Sequence, residues 1–176
     1  MNLVLVGYRG TGKSAIARRL SALLAMPMVS LDQEIVREAG MPIPKIVESS
    51  GWDHFRDLEE RLCRKFAARK GIIIDCGGGV VEREANLAAL RSGGFVVWLR
   101  ATPATIVARI GGDRSRPSLT GSKSFTEEVE EVLARREPIY RRLAHVCIDT
   151  DARSLGELAA VVAGHFQTAA SRGGGT

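Results

Sequence analysis

From residue 7 the chain reads Gly7, Tyr8, Arg9, Gly10, Thr11, Gly12, Lys13, Ser14: a glycine, four residues, then Gly12-Lys13-Ser14. This is the pattern of a phosphate-binding loop, which works only between a strand and a helix. Both neighbours fit. Asn2 to Val6 is a short, mostly apolar run suited to a buried strand, and Ile16, Leu20, Leu23 and Leu24 follow at helical spacing. The glycines let backbone N–H groups turn inward, and the helix start adds partial positive charge, so the loop suits a polyphosphate. Gly10, Thr11, Gly12, Lys13, Ser14 and Ala15 are the expected nucleotide contacts. Lys13 can reach the β- and γ-phosphates, and the Ser14 hydroxyl can ligate Mg²⁺. A chance glycine turn is the alternative, and the flanking strand and helix argue against it. The chain is expected to bind a nucleoside triphosphate, with ATP and Mg²⁺ as cofactors.

With 176 residues the chain is long enough for one domain with a substantial core. Residues 1–170 are read as that domain and residues 171–176 as a disordered tail. No apolar run approaches the roughly 18 residues of a membrane helix, and the first strand leads straight into the glycine loop, unlike a signal peptide. A cytoplasmic monomer without membrane contact is the expectation. The net charge of +5 raises nucleic acid as a partner, but only 5% of residues are aromatic and the basic ones are dispersed. An anionic small substrate beside a nucleotide accounts better for the arginines. Cys63, Cys76 and Cys147 form no C-x-x-C pair, and His54, His145 and His165 stand far apart, so all six read as structural.

Further along, residues 27–31 read as a second short strand ending at Asp32, followed by a helix to about Ala39 that Gly40 and Pro42 stop. Residues 42–70 read as helical, with Phe55, Leu58, Leu62 and Phe66 on an apolar face. Residues 71–75 form the clearest buried strand and run into Gly77, Gly78 and Gly79. A helix over 82–91, a strand over 95–99 and a helix from Pro103 to Ile110, capped by Thr102, come next. Residues 111–123 are rich in glycine and polar side chains and read as a mobile lid. Ser124 with Glu127 resembles a capping box for a long helix that Pro138 should end or bend. A strand over 145–149 and a helix over 155–166 complete the pattern. Alternating strands and helices imply a parallel five-stranded sheet covered on both faces, a three-layer α/β kinase fold with a helical substrate-binding insert over about 32–70. Ligands in such folds sit beyond the carboxyl ends of the strands, so Asp32, Asp75 and the three glycines should share the loop's edge.

Several charges stand out. Val129, Val132, Leu133, Arg136 and Tyr140 fall at helical spacing, so Arg136 interrupts an apolar stripe, and an inward cation needs an anionic partner. That partner is either a structural carboxylate or a substrate carboxylate or phosphate, which an arginine fork receives well. Arg56, on the flank of its helix's apolar face, is open to the same two readings. Arg116, in the glycine-rich stretch, suits a cation that steadies a transferring phosphoryl group, although alone it and Arg114 would be ordinary solvated charges. Asp32 can orient or deprotonate an attacking hydroxyl, or simply cap the next helix.

The ordered set resembles the shikimate kinase family over nearly the whole chain: the glycine loop at 7–14, Asp32, Phe55 with Arg56, Gly77 to Gly79, Arg116 to Leu119, and Arg136 to Tyr140. The resemblance implies ATP-dependent phosphorylation of shikimate. It implies Lys13, Asp32 and Arg116 as catalytic residues, with Asp32 at the ring hydroxyls. Arg56 and Arg136 would clamp the carboxylate, Gly78 and Gly79 would offer backbone contacts, and Arg109 would lie against adenine. A related kinase of another hydroxy acid such as gluconate, or a nucleotide sensor without turnover, are the rivals. The chain departs from the family pattern in having Ser30 where an acid near Mg²⁺ is usual, Asp75 where a small hydroxyl residue is usual, and Trp52 where a glutamate is common. The run of residues 72–75 resembles the apolar strand plus aspartate that holds Mg²⁺ in other such proteins. Asp75 is therefore expected in the outer sphere of the metal held by Ser14; the alternative is that it only receives backbone hydrogen bonds.

Overall fold

The structure, a computed structural model, describes residues 1–111 and 125–173. Side chains alternate along the first strand, β1 (Asn2–Val6): Leu3 and Leu5 pack into one core and Val4 and Val6 into another, all fully buried. A strand buried on both faces needs helices on both sides. The chain supplies them as α1 (Lys13–Leu24), β2 (Met28–Ser30), α2 (Leu31–Ala39), α3 (Ile43–Ala67), β3 (Ile73–Asp75), α4 (Glu84–Gly93) and β4 (Gly94–Arg100). Then come α5 (Pro103–Ile110), α6 (Phe125–Leu143), β5 (Val146–Asp149) and α7 (Leu155–Gly173). The five strands are parallel in the order β2-β3-β1-β4-β5. α1 and α7 cover the Leu3/Leu5 face, while α2, α3, α4 and the end of α6 cover the other. All strands point the same way, so the β1, β2 and β3 termini bring the glycine loop, Asp32 and Asp75 to one edge.

The expected elements are present, with corrections. α6 runs through Pro138 without ending, although an interior proline loses a helix hydrogen bond and costs about 3 kcal/mol. Val129, Val132 and Leu133 before it and Tyr140 and Leu143 after it are all buried, and that burial on both sides keeps one helix. α7 continues past Phe166 to Gly173, so residues 171–173 are helical rather than part of a tail. α3 is broken at Gly51 (φ 79°, ψ 171°), which reorients the segment carrying Arg56. The helix expected from Glu82 begins instead as a 3-10 turn, Val80–Glu82, before α4. Of the expected lid only Gly111 is described, closing α5; Arg114, Arg116, Ser124 of the capping box and residues 174–176 lie outside the described residues.

Asn2 does more than start a strand. Its fully buried amide donates to Ala67 O (3.3 Å) and Arg69 O (2.7 Å) and accepts from Ile72 N (3.3 Å), tying β1 to the connection between α3 and β3. Asn2→Ala strands the Ala67 carbonyl and the Ile72 N–H in the core, frees the Arg69 carbonyl at its margin, and should lower stability by about 2–3 kcal/mol in urea unfolding. A loss below roughly 0.5 kcal/mol would mean that solvent replaces these bonds.

Candidate active site

The glycine loop is shaped by what lies beneath it. Gly7 has φ 142°, and a Cβ there would stand 2.2 Å from Leu99 O, so β4 comes too close for any side chain. Thr11 is buried and its hydroxyl donates to Tyr8 O (2.8 Å), bracing the loop from inside and leaving its backbone as its offering to a ligand. Lys13 Nζ donates to Gly7 O and Tyr8 O, both at 2.8 Å, and so lies along the loop it follows. Gly10, Gly12, Lys13, Ser14 and Ala15 line a cavity of about 340 Å³. Asp32, Asp75, Gly77 and Gly78 line it too, as do Arg9 and Arg18, which the sequence did not single out, and Cys76, which it reads as structural.

Asp75 meets the loop directly. The Ser14 hydroxyl donates to Asp75 Oδ2 at 2.6 Å, and Asp75 Oδ1 is buried without a hydrogen-bond partner. Burial pushes the Asp75 carboxyl upward, against the pull of the Lys13 charge and the Ser14 hydrogen bond. Ser30 is the register partner of Asp75 across β2 and β3. Its hydroxyl accepts from Gln33 N (3.5 Å) and caps α2. Capping therefore falls to Ser30, and Asp32 stands in the first turn of α2, at the cavity wall.

The three consecutive glycines touch three different parts of the site. A Cβ on Gly77 would stand 2.8 Å from Asp32 Oδ1 and 3.0 Å from Glu59 Oε1; on Gly78, 3.2 Å from Arg9 N; on Gly79, 2.1 Å from Arg56 Nη2. Arg56 lies over the rings of Phe55 (5.1 Å) and Trp52 (5.4 Å) and donates through Nη1 to Glu59 Oε2 at 2.6 Å. Glu59 is fully buried; desolvation raises its pKa, and Arg56 works against that rise. Glu59 escaped the sequence reading because Leu58 took its place on the apolar face. The buried stripe is Phe55, Glu59, Leu62 and Phe66, with Leu58 at its margin. The signal was available in the spacing of Arg56 and Glu59, three apart on one helix.

Arg136 is buried, as its place on the stripe implied, and donates through Nε to Glu82 Oε1 at 2.6 Å. Its guanidinium lies 5.9 Å from the centre of the Tyr8 ring, and Arg9, paired with Glu128 of α6 at 3.2 Å, lies at the same distance from that ring. One turn on from Arg136, the Tyr140 hydroxyl donates to Gly78 O. Arg109 stands apart from this group. Its guanidinium donates to Gly10 O, Thr150 Oγ1 and Thr150 O, each at 3.1 Å, joining the glycine loop to the end of β5.

A parallel sheet with a phosphate-binding loop after β1, set against a glycine turn that Asp32 and Arg56 approach, defines a P-loop phosphotransferase. The shikimate kinase family model matches residues 9–166. A shikimate kinase of Rhodopirellula baltica is 41% identical over 161 residues, covering 89% of this chain and 86% of the relative. One of Pseudomonas syringae pv. syringae is 41% identical over 152 residues, covering 86% and 88%. The solved structure of shikimate kinase from Acinetobacter baumannii in complex with shikimate superposes with a TM-score of 0.90 at 30% identity, covering 95% of this chain and 93% of that one. The chain belongs to the shikimate kinase family.

Gly79→Ala separates folding from site geometry. The atoms in the way are the end of a side chain, so the variant should fold with thermal stability near that of the parent. The Arg56 guanidinium must leave its place, and the acceptor KM should rise as it does in Arg56→Ala, by about ten-fold for one charged contact. An unchanged acceptor KM would show that Arg56 is not held by this cradle.

Proposed function

We propose that the protein transfers the γ-phosphoryl group of ATP to the 3-hydroxyl of shikimate, giving ADP and 3-phosphoshikimate. The observation that carries this reading is the Gly77–Gly79 turn. It touches the glycine loop, Asp32 and Arg56 within three residues, so an acceptor seated on it lies between phosphates and arginines. In this reading Asp32 orients the acceptor hydroxyl and takes up its proton as the oxygen attacks phosphorus in line. Lys13 and Arg116 balance the charge spread over the phosphoryl oxygens. Backbone amides of the loop from Gly10 to Ala15 hold the nucleotide, and Arg109 lies against the adenine. Arg56 and Arg136 receive the acceptor's carboxylate, and the backbone of Gly78 and Gly79 holds its ring. The reading carries with it a single domain with the helical insert and a closing lid at 111–123, acting in the cytoplasm as a monomer on free small molecules.

A coupled assay of ADP release decides the substrate: turnover should depend on shikimate and be absent with gluconate. Nucleotide binding without turnover on any hydroxy acid would leave only a sensor. Arg136→Ala should weaken shikimate binding by about 1.5–3 kcal/mol while ATP affinity stays nearly unchanged, and Arg136→Lys should rescue it only in part. A substrate lacking the carboxylate that bound equally well would rule out the clamp.

The donor set fits Mg²⁺. Because a carboxylate only accepts, the Ser14 proton points at Asp75 and the hydroxyl's lone pairs remain available, with Asp75 Oδ1 still unpartnered. Ser14 and Asp75 would hold the ion, which neutralises charge on the β- and γ-phosphates. The acid has in effect moved one strand across, from position 30 to its register partner. Asp75→Ala should raise the Mg²⁺ requirement and cut turnover by about 10²-fold. Adding Ser30→Asp should restore part of this, since an aspartate there can also cap α2. Mn²⁺ affinity of the ADP complex, followed by electron paramagnetic resonance, should fall and recover in parallel. A normal metal titration for Asp75→Ala, or no recovery in the double variant, would show that the exchange is coincidental.

A further inference from the structure

The two arginines of the site are held by carboxylates in different ways. Glu59 takes a terminal nitrogen of Arg56, Nη1. Glu82 takes the inner nitrogen of Arg136, Nε, at 2.6 Å. A carboxylate is received bidentately through two parallel N–H bonds, and engagement at Nε leaves Arg136, which also meets the Tyr140 hydroxyl, its Nη1/Nη2 edge for that purpose. Arg56, engaged at Nη1, keeps its other edge, Nε with Nη2. Glu82 also reaches Arg135 Nη2 at 2.9 Å through the same oxygen, so it is itself pinned between two successive residues of α6.

Glu82 is well placed for such a role. It closes the 3-10 turn that leaves Gly79, and its N–H donates to Gly79 O at 3.0 Å. The same turn is fixed at two further points, by Tyr140 to Gly78 O and by Asn86 Nδ2 to Val80 O at 2.9 Å. An arginine side chain has about 2 kcal/mol of rotamer entropy to lose, and fixing it before the ligand arrives removes much of that loss from binding. The Arg136 side chain is 4% exposed and that of Glu82 25%, so the acid is the more exposed member of the pair. Burial alone would raise the Glu82 pKa; Arg136 and Arg135 overcome it and hold the carboxyl below its usual range, charged at neutral pH.

We infer that Glu82 is a positioning residue that presents the Nη1/Nη2 edge of Arg136 to the acceptor's carboxylate. The inference rests on the reading of Arg136 as the carboxylate's partner, and the experiment separates the two.

Steady-state kinetics are measured for the parent, Glu82→Ala, Glu82→Gln and Arg136→Ala, each with shikimate and with its carboxamide. Glu82→Ala should raise the shikimate KM by about ten-fold or more, the worth of a misplaced charge-assisted contact. Its kcat and ATP KM should stay within about three-fold of the parent, and its carboxamide KM should hardly change. Glu82→Gln keeps an oxygen that can accept from Nε and should bind shikimate nearly as the parent does; being isosteric, it also covers the case in which the alanine variant fails to fold. Glu82→Ala affecting acid and amide alike would overturn the inference in favour of a general support for the turn. Glu82→Gln as impaired as Glu82→Ala would overturn it in favour of charge balance. If Arg136→Ala itself fails to discriminate acid from amide, the carboxylate reading of Arg136 falls, and this inference with it.

Discussion

Three residues without side chains hold this site together. Gly77 lets Asp32 and Glu59 approach the same point, Gly78 lets the phosphate loop lie against the turn, and Gly79 makes room for the Arg56 guanidinium. A methyl group at either outer position would meet oxygen or nitrogen at 3.0 Å or less, and the groups it displaced are Asp32 and Glu59 at one end and Arg56 at the other. The close packing of phosphate loop, insert and turn is thus a steric permission granted at one place. The polar groups around it then fix the arrangement by bonding to one another.

Electrostatics set the second condition. Arg56, Glu59, Asp75 and Arg136 are all withdrawn from water, and none could stay so alone, since breaking a buried ion pair costs about 3–5 kcal/mol. Each has an assigned neighbour: Glu59 for Arg56, Glu82 for Arg136, Ser14 for Asp75. Because these partners are supplied within the fold, the arginines are stiff before any acceptor arrives. Tyr8 adds a non-ionic link, its buried ring 5.9 Å from the guanidiniums of both Arg9 of the loop and Arg136 of α6. Burial raises the phenol's pKa while both arginines oppose the rise, so it stays neutral and serves as a face for cations.

The sequence was most legible where a residue type has a single use. The glycine loop, the apolar strands and the helix cap at Thr102 could be read directly, because each depends on neighbours along the chain. Arg136 could be read as buried because it interrupts a regular stripe. Glu82 could not, since its partners are more than fifty residues away. Asn2 was absorbed into an apolar run, although it bonds to three residues of a distant connection. Of the two outcomes expected at Pro138, the end of the helix does not occur, because α6 is buried on both sides of it.

By itself, then, the sequence determined the order of elements, the phosphate loop and part of the charged set at the site, Asp32, Arg56, Asp75 and Arg136. These are consequences of backbone preference and hydrophobic period, which act over a few residues. Only the tertiary structure decided which acid faces which base, that Asp75 rather than Ser30 meets the Ser14 hydroxyl, and that Arg136 is engaged at Nε while Arg56 is engaged at Nη1. Those choices follow from parallel strands ending at one edge and from where a missing Cβ lets two chains approach, distances that no local pattern encodes.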